Sequence, residues 1–289
     1  MRTMRRAAVL MCFALCVAAT PAMAACAWVA NLTTMNFGAY NVFGATAVTA
    51  TSTGSIRCTG ANYNVTIAAT TGGSGAFSPW RTMSGSAQYN IYTDAARTII
   101  WGDGTGGSTK DGGVINNNTT ATVTEYGNVP LSQDLAPGNY TDSLTVTLGY
   151  QNTGGGAWTY LPGVVMQVTM TVGTVCRADT FTLAFGAYSP LSAVALAGAS
   201  TVKVYCTKTT PATFALDNGS NALGVQKRMV NAGNFLNYTA TLAAGSGTST
   251  SSLVPIGGGI ALNGSIPAAQ DVPAAATAYI DTLQVVVNY

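Results

Sequence analysis

Two stretches of this chain carry the same landmarks in the same order, and that repeat constrains the fold more than any other feature. Cys26 and Cys58 bracket one stretch, Cys176 and Cys206 the other, with spans of 32 and 30 residues. After the first cysteine of each pair come Asn36-Phe37-Gly38-Ala39-Tyr40 and Ala184-Phe185-Gly186-Ala187-Tyr188. Arg81-Thr82-Met83 reads as the partner of Arg228-Met229, and Tyr140-Thr141-Asp142-Ser143-Leu144 as that of Tyr279-Ile280-Asp281-Thr282-Leu283. Ordered landmarks of this kind mark an internal duplication, and two copies are too few for a solenoid. The chain therefore reads as two tandem domains.

The first 24 residues read as an address. Arg2, Arg5 and Arg6 precede an apolar run from Ala7 to Ala19, and Ala22-Met23-Ala24 has the small-x-small form of a signal-peptidase site. That run is too short for a membrane span of ~20 residues. Met23-Ala24-Ala25-Cys26 only loosely resembles a lipobox. Cleavage after Ala24 removes Cys12 and Cys16 and leaves nine basic groups against ten acidic ones. In an exported protein the four remaining cysteines read as disulfides. They allow three connectivities, of which the repeat favours Cys26–Cys58 with Cys176–Cys206.

Composition removes whole classes of function. There is no histidine, so the commonest general base and metal ligand is missing, and neither cysteine pair has the spacing of a zinc site. No metal and no cofactor are expected. Charged residues make up 8% of the chain, which excludes a nucleic-acid partner. An enzyme is not expected: Lys110, Lys203, Lys208 and Lys227 have no nucleophile motif beside them. Paired carboxylates keep a secreted carbohydrate-active enzyme as the remote alternative. Asp142 and Asp281, though, hold equivalent places and read as structural, and Gly102-Asp103-Gly104-Thr105-Gly106-Gly107 reads as a hairpin loop.

Short alternating runs argue for antiparallel β-sandwiches: Tyr63-Asn64-Val65-Thr66-Ile67, Thr120-Ala121-Thr122-Val123-Thr124, Leu144-Thr145-Val146-Thr147-Leu148 and Val202-Lys203-Val204-Tyr205-Cys206. Long glycine-rich loops separate them. The predicted division is a signal peptide over 1–24, one domain over 25–172 and another over 173–289. One strand, 164–172, puts Val164, Met166, Val168, Met170 and Val172 on a single face and lies between the copies.

Taken in order, these motifs resemble the spore coat protein U-like pilins of archaic chaperone–usher pili. The resemblance rests on the early Cys followed by Phe-Gly-Ala-Tyr and on the second Cys some thirty residues later. It also rests on Tyr89-Asn90-Ile91-Tyr92 leading to Trp101-Gly102-Asp103-Gly104, and on Pro137-Gly138-Asn139-Tyr140 before a strand ending in Tyr150. Repeat 2 lacks the Trp-Gly-x-Gly turn. The resemblance implies immunoglobulin-like sandwiches that each lack one strand, filled first by a periplasmic chaperone and then by an adjacent pilin subunit at an outer-membrane usher. It implies that 164–172 completes domain 1 from within the chain while domain 2 stays open. With only Ala25 ahead of Cys26, the chain is expected to accept a strand and donate none, as a tip subunit at the cell surface would.

All four tryptophans fall in the first copy or the connection after it. Trp158, Tyr160 and Leu161 are the first candidates for contact with an abiotic or host surface, and Phe77 and Trp80 the second. Trp28 and Trp101 read as core. The alternative function is a non-adhesive structural pilus or coat subunit.

Overall fold

Thr/Val alternation suits a pleated, half-buried surface, and the regular structure of the chain is almost wholly strand. The computed structural model describes residues 25–289, so the signal-peptide segment lies outside the described residues. In chain order the first half forms β1 (Ala25–Ala30), β2 (Met35–Tyr40), β3 (Val48–Thr59), β4 (Tyr63–Ala69), β5 (Arg81–Thr82), β6 (Gln88–Tyr92), β7 (Asp111–Ile115), β8 (Thr119–Val129), β9 (Gly138–Asn152), β10 (Thr159–Tyr160) and β11 (Val164–Val172). Two sheets result, ordered β1-β3-β8-β6-β5 and β2-β11-β9-β4-β7, with β10 continuing along the edge of β9. Their facing side chains make one core that includes Met35, Phe37, Ile56, Ile67, Tyr89, Trp101 and Leu144.

The second half repeats this plan with gaps. Its strands are β12 (Cys176–Ala178), β13 (Leu196–Val202), β14 (Val204–Cys206), β15 (Pro211–Leu216), β16 (Lys227–Asn231), β17 (Asn234–Leu242), β18 (Ser246–Thr248), β19 (Ile260–Ile266) and β20 (Val285–Asn288). β13-β19-β17-β16 and β12-β14 together correspond to the first sheet of the other half, and β18-β15-β20 to part of its second. A separate core forms around Val202, Phe214, Leu236, Tyr238 and Leu262. Each half carries its own disulfide, Cys26–Cys58 and Cys176–Cys206, between residues directly opposite in a strand pair.

The two copies share a polar joint. The Tyr89 hydroxyl donates to Asp142 Oδ2 at 2.6 Å, and Tyr238 donates to Asp281 Oδ2 at 2.7 Å. The other carboxylate oxygen of each pair accepts a backbone N–H from the loop after the fourth strand of its copy, from Gly73 at 2.9 Å and from Asn221 at 3.1 Å. The equivalent aspartates thus tie a loop to the sheet. Burial first, and then the bond to the carboxylate, push both phenols far above their usual range, so they remain donors.

The strand register corrects one pairing read from the sequence. Arg81 lies opposite Tyr89, and the residue opposite Tyr238 is Lys227, not Arg228. Arg81 is fully buried, donating to Asn90 Oδ1 at 2.7 Å and to the Trp101 carbonyl at 2.5 Å. Lys227 donates to the carbonyl of Asp217. The second copy has no Trp-Gly-x-Gly turn to hold, so a single ammonium takes the place of the guanidinium fork. Arg228, one position on and therefore on the opposite face, lies 4.1 Å over the Phe235 ring.

Candidate functional site

The copies differ most at one strand position. In the first half β11 lies between β2 and β9, antiparallel to β9 from Val164↔Val146 to Val172↔Gly138. Against β2 it runs parallel, from Val168↔Met35 to Val172↔Tyr40, whereas the other strand ladders of the fold are antiparallel. A parallel neighbour is open to β11 because the two strands are far apart in sequence and need no hairpin. Met166, Val168, Met170 and Val172 are buried in the core, Val164 is half-buried, and Val165, on the other face, is exposed.

In the second half the corresponding position holds no strand. Its banks are 181–188 and 279–284, which make no continuous ladder among the described residues. The same side chains line them: Leu183, Phe185 and Tyr188 stand where Met35, Phe37 and Tyr40 stand in the first copy, and Tyr279 and Leu283 where Tyr140 and Leu144 stand. The first-copy residues are all buried, their second-copy counterparts only half-buried. Between the banks runs an apolar cleft of about 650 Å³, lined by Leu183, Phe185, Tyr188, Leu236, Ile266 and Tyr279. A recess of about 350 Å³ shares Leu183, Phe185 and Tyr279 and reaches Leu283.

The banks are held in place without the missing strand. Tyr188 donates to the Pro267 carbonyl at 3.1 Å, as Tyr40 does to that of Pro130 at 3.0 Å. Tyr279 donates to the Pro273 carbonyl at 3.0 Å, as Tyr140 does to that of Ala136 at 2.7 Å. The Phe185 ring meets Tyr238 edge-on at 5.8 Å, as Phe37 meets Tyr89 at 6.2 Å. Both phenylalanines need a glycine on the facing sheet, because a Cβ at Gly127 or Gly264 would come within 2.6 or 2.7 Å of the ring. The groove is therefore preformed, with apolar side chains and unpaired backbone groups ready for an extended segment.

The residues selected from the sequence do not form one patch. Trp158 and Tyr160 stack at 6.3 Å and 23°, and are 36% and 57% exposed. Tyr160 sits on β10 opposite Gly149 and covers it. Leu161 is half-buried against the core, its N–H donating to the Leu148 carbonyl at 2.9 Å. This pair lies beside the C-terminal end of β9, at the pole opposite the one where β11 leaves for the second half. The loop carrying Phe77 and Trp80 is instead tied to the start of β9 through Gly73 and Asp142.

Phe77 does not present its ring to a surface. It is 3% exposed, with the Arg81 guanidinium 4.7 Å from its ring centre, so it insulates a buried cation. Trp80 is half-buried. Trp101 is fully buried with its indole N–H on the Ile67 carbonyl at 2.9 Å, and Trp28 packs against the same core. Sequence reasoning did not place Glu125 in the core, yet it lies fully buried there beside Asp111. Its place in an alternating run, two residues after inward-facing Val123, was the available signal.

The Spore Coat Protein U domain model matches residues 12–147 and 164–286. Its second match includes β11, although β11 completes the sandwich of the first half. A chain of the CsuC–CsuE chaperone–tip adhesion subunit pre-assembly complex, from the archaic chaperone–usher Csu pili of Acinetobacter baumannii, is similar in fold, with TM-score 0.54 and 19% identity over 92% of this chain and 100% of that one. The CupB6 tip adhesin from Pseudomonas aeruginosa aligns at TM-score 0.40 and 8% identity, over 91% of this chain and 94% of that one. No curated protein matches the chain.

Proposed function

Because the chain belongs to the Spore Coat Protein U domain family, in two tandem copies, we propose that it is the tip subunit of a chaperone–usher type pilus that attaches to surfaces and promotes biofilm formation. One observation carries this reading. The strand that the family match assigns to copy 2 fills the groove of copy 1, while the equivalent groove of copy 2 stands open. The first half is complete within the chain, and the second offers a place for a strand from elsewhere. A periplasmic chaperone would cover that groove during export, and an adjacent pilin subunit would replace it at the usher. The exposed Trp158–Tyr160 pair then faces outward on the pole away from the groove-bearing half, where large apolar surface favours adhesion to apolar material.

The test uses pili assembled by the source cells. Changing both Trp158 and Tyr160 to Ser should lower attachment to polystyrene at least tenfold while the number of pili per cell stays the same. Normal attachment by the double variant would make the chain a non-adhesive structural subunit. The anchoring half of the proposal has a separate readout. The full chain produced with its chaperone should be a one-to-one complex, and a synthetic donor-strand peptide should release the chaperone. A stable chaperone-free monomer that ignores the peptide would contradict an acceptor role for the second half.

A further inference from the structure

The two halves of the chain meet through side chains whose counterparts recur at the far end of the second half. In the first half the loop between β8 and β9 is shaped by Tyr40, whose hydroxyl donates to Pro130 and accepts from the Gln133 N–H at 3.0 Å. Gln133 in turn pairs with the backbone of Gln88, accepting its N–H at 2.6 Å and donating to its carbonyl at 2.9 Å. This presents Asp134 to the second half. There Asp134 Oδ1 accepts from the Ser252 N–H at 2.7 Å and from its hydroxyl at 3.0 Å, and Lys208 Nζ lies 3.8 Å from Oδ2. Beside this clamp the Arg177 guanidinium lies 5.4 Å from the centre of the Phe43 ring.

The loop between β19 and the start of the far bank has the same construction. Tyr188 donates to Pro267 and accepts from the Gln270 N–H at 2.7 Å. Gln270 pairs with the backbone of Asn237 at 2.8 and 2.9 Å. Even the left-handed, non-glycine residue recurs, Ser132 at φ +60° and Ala269 at φ +56°. Asp271 follows Gln270 as Asp134 follows Gln133, and Leu191 follows Tyr188 by three positions as Phe43 follows Tyr40. Asp271 is exposed, with no hydrogen bond or ion pair among the described residues, and Leu191 is 96% exposed. One clamp is occupied, and its copy is empty.

We infer that Asp271 and Leu191 form the docking face for the unit of the same fold whose strand enters the second groove. This rests on the proposed acceptor role of that groove. The occupant follows from the intramolecular joint: after Val172 only three residues separate the inserted strand from Cys176, so the strand in a groove and the unit gripped by the adjacent aspartate belong together. That unit should answer Asp271 as Ser252 and Lys208 answer Asp134, with a turn bearing an N–H and a hydroxyl, and a lysine close after its second cysteine. Exposed pairs of this kind contribute little affinity. Their effect is on the orientation of successive units and on encounter rate.

Zero-length carbodiimide cross-linking of intact pili, read by mass spectrometry, tests this. It should join Asp134 to Lys208 within the chain and Asp271 to a lysine of the neighbouring subunit, and Asp271→Asn should remove the second product alone. Groove occupancy is read independently in the same pili by a benzophenone photoprobe placed at Ala187 on the bank. If the photoprobe captures a strand while Asp271 stays unlinked, the docking face is wrong and the acceptor reading stands. If the photoprobe captures nothing, the acceptor reading fails and the docking face falls with it.

Discussion

With Val168 changed to Asp, the first half of the chain should lose its fold while the second half keeps its own. Val168 is 0% exposed in the middle of β11, opposite Met35 on one side and Asp142 on the other. A carboxyl group there enters an apolar core with no partner. Such a group costs at least about 4 kcal/mol, a large part of the ~5–15 kcal/mol that holds a domain together. The readout is built into the chain, because all four tryptophans lie between residues 28 and 158. Tryptophan fluorescence therefore follows the first half alone. Val165→Asp is the control: it sits on the same strand but is 60% exposed, so it should shift stability by no more than ~0.5 kcal/mol. Native tryptophan emission from the Val168→Asp protein would mean that β11 does not hold this core.

Changing Glu125 to Gln should remove most of the pH dependence of the first half's stability. Glu125 is fully buried on β8, with the Asp111 carboxyl of β7 as its acidic neighbour. Burial first, and then the neighbouring Asp111, push its pKa from an ordinary 4.5 up to about 9, against the opposing pull of Arg81. A folded value above the unfolded one means that the folded state holds the proton more tightly. The associated stability is complete below about pH 4.5 and declines as pH rises toward 9. At 1.36 kcal/mol per pH unit for one proton, the loss between pH 4.5 and 7 is on the order of 3 kcal/mol. A glutamine side chain cannot ionise, so the melting temperature of the Glu125→Gln variant, followed by tryptophan fluorescence, should fall much less across that range. The remainder comes from half-buried Asp111, whose pKa burial also raises. Exposed carboxylates such as Asp94 and Asp103 are present in both proteins and cancel in the comparison. Parallel pH profiles for the two proteins would show that Glu125 is not the buried proton holder.

Much of the fold can be read in the residues because its signals are local. The repeated cysteine pairs lie directly opposite in paired strands, and the alternation of 164–172 matches its buried face. Asp142 and Asp281 read as equivalent and serve as equivalent joints. The readings that needed correction concern how loops fold back and how neighbouring strands register, which alternation along one strand does not show. Phe77 looked free on a glycine-rich loop, but that loop folds back over Arg81. Arg228 looked like the counterpart of Arg81, but a one-residue difference in register gives that role to Lys227 and sends Arg228 to the other face. The burial of Glu125 was not read because its neighbourhood is assembled from β7, β8 and β5.

By itself the sequence determined that there are two copies of one β-fold, each stapled by a disulfide, with a two-faced strand between them. That this strand completes the first sandwich and leaves the second groove open is an expectation from the family resemblance. Only the tertiary structure decided that it enters between β2 and β9, parallel to the one and antiparallel to the other, and that Asp134 is engaged where Asp271 is free. Side-chain alternation is a property of a single strand, so it can be read along the chain. Which edge a strand pairs with is a choice between distant partners, made by the burial and backbone hydrogen bonds that only the assembled sheets supply.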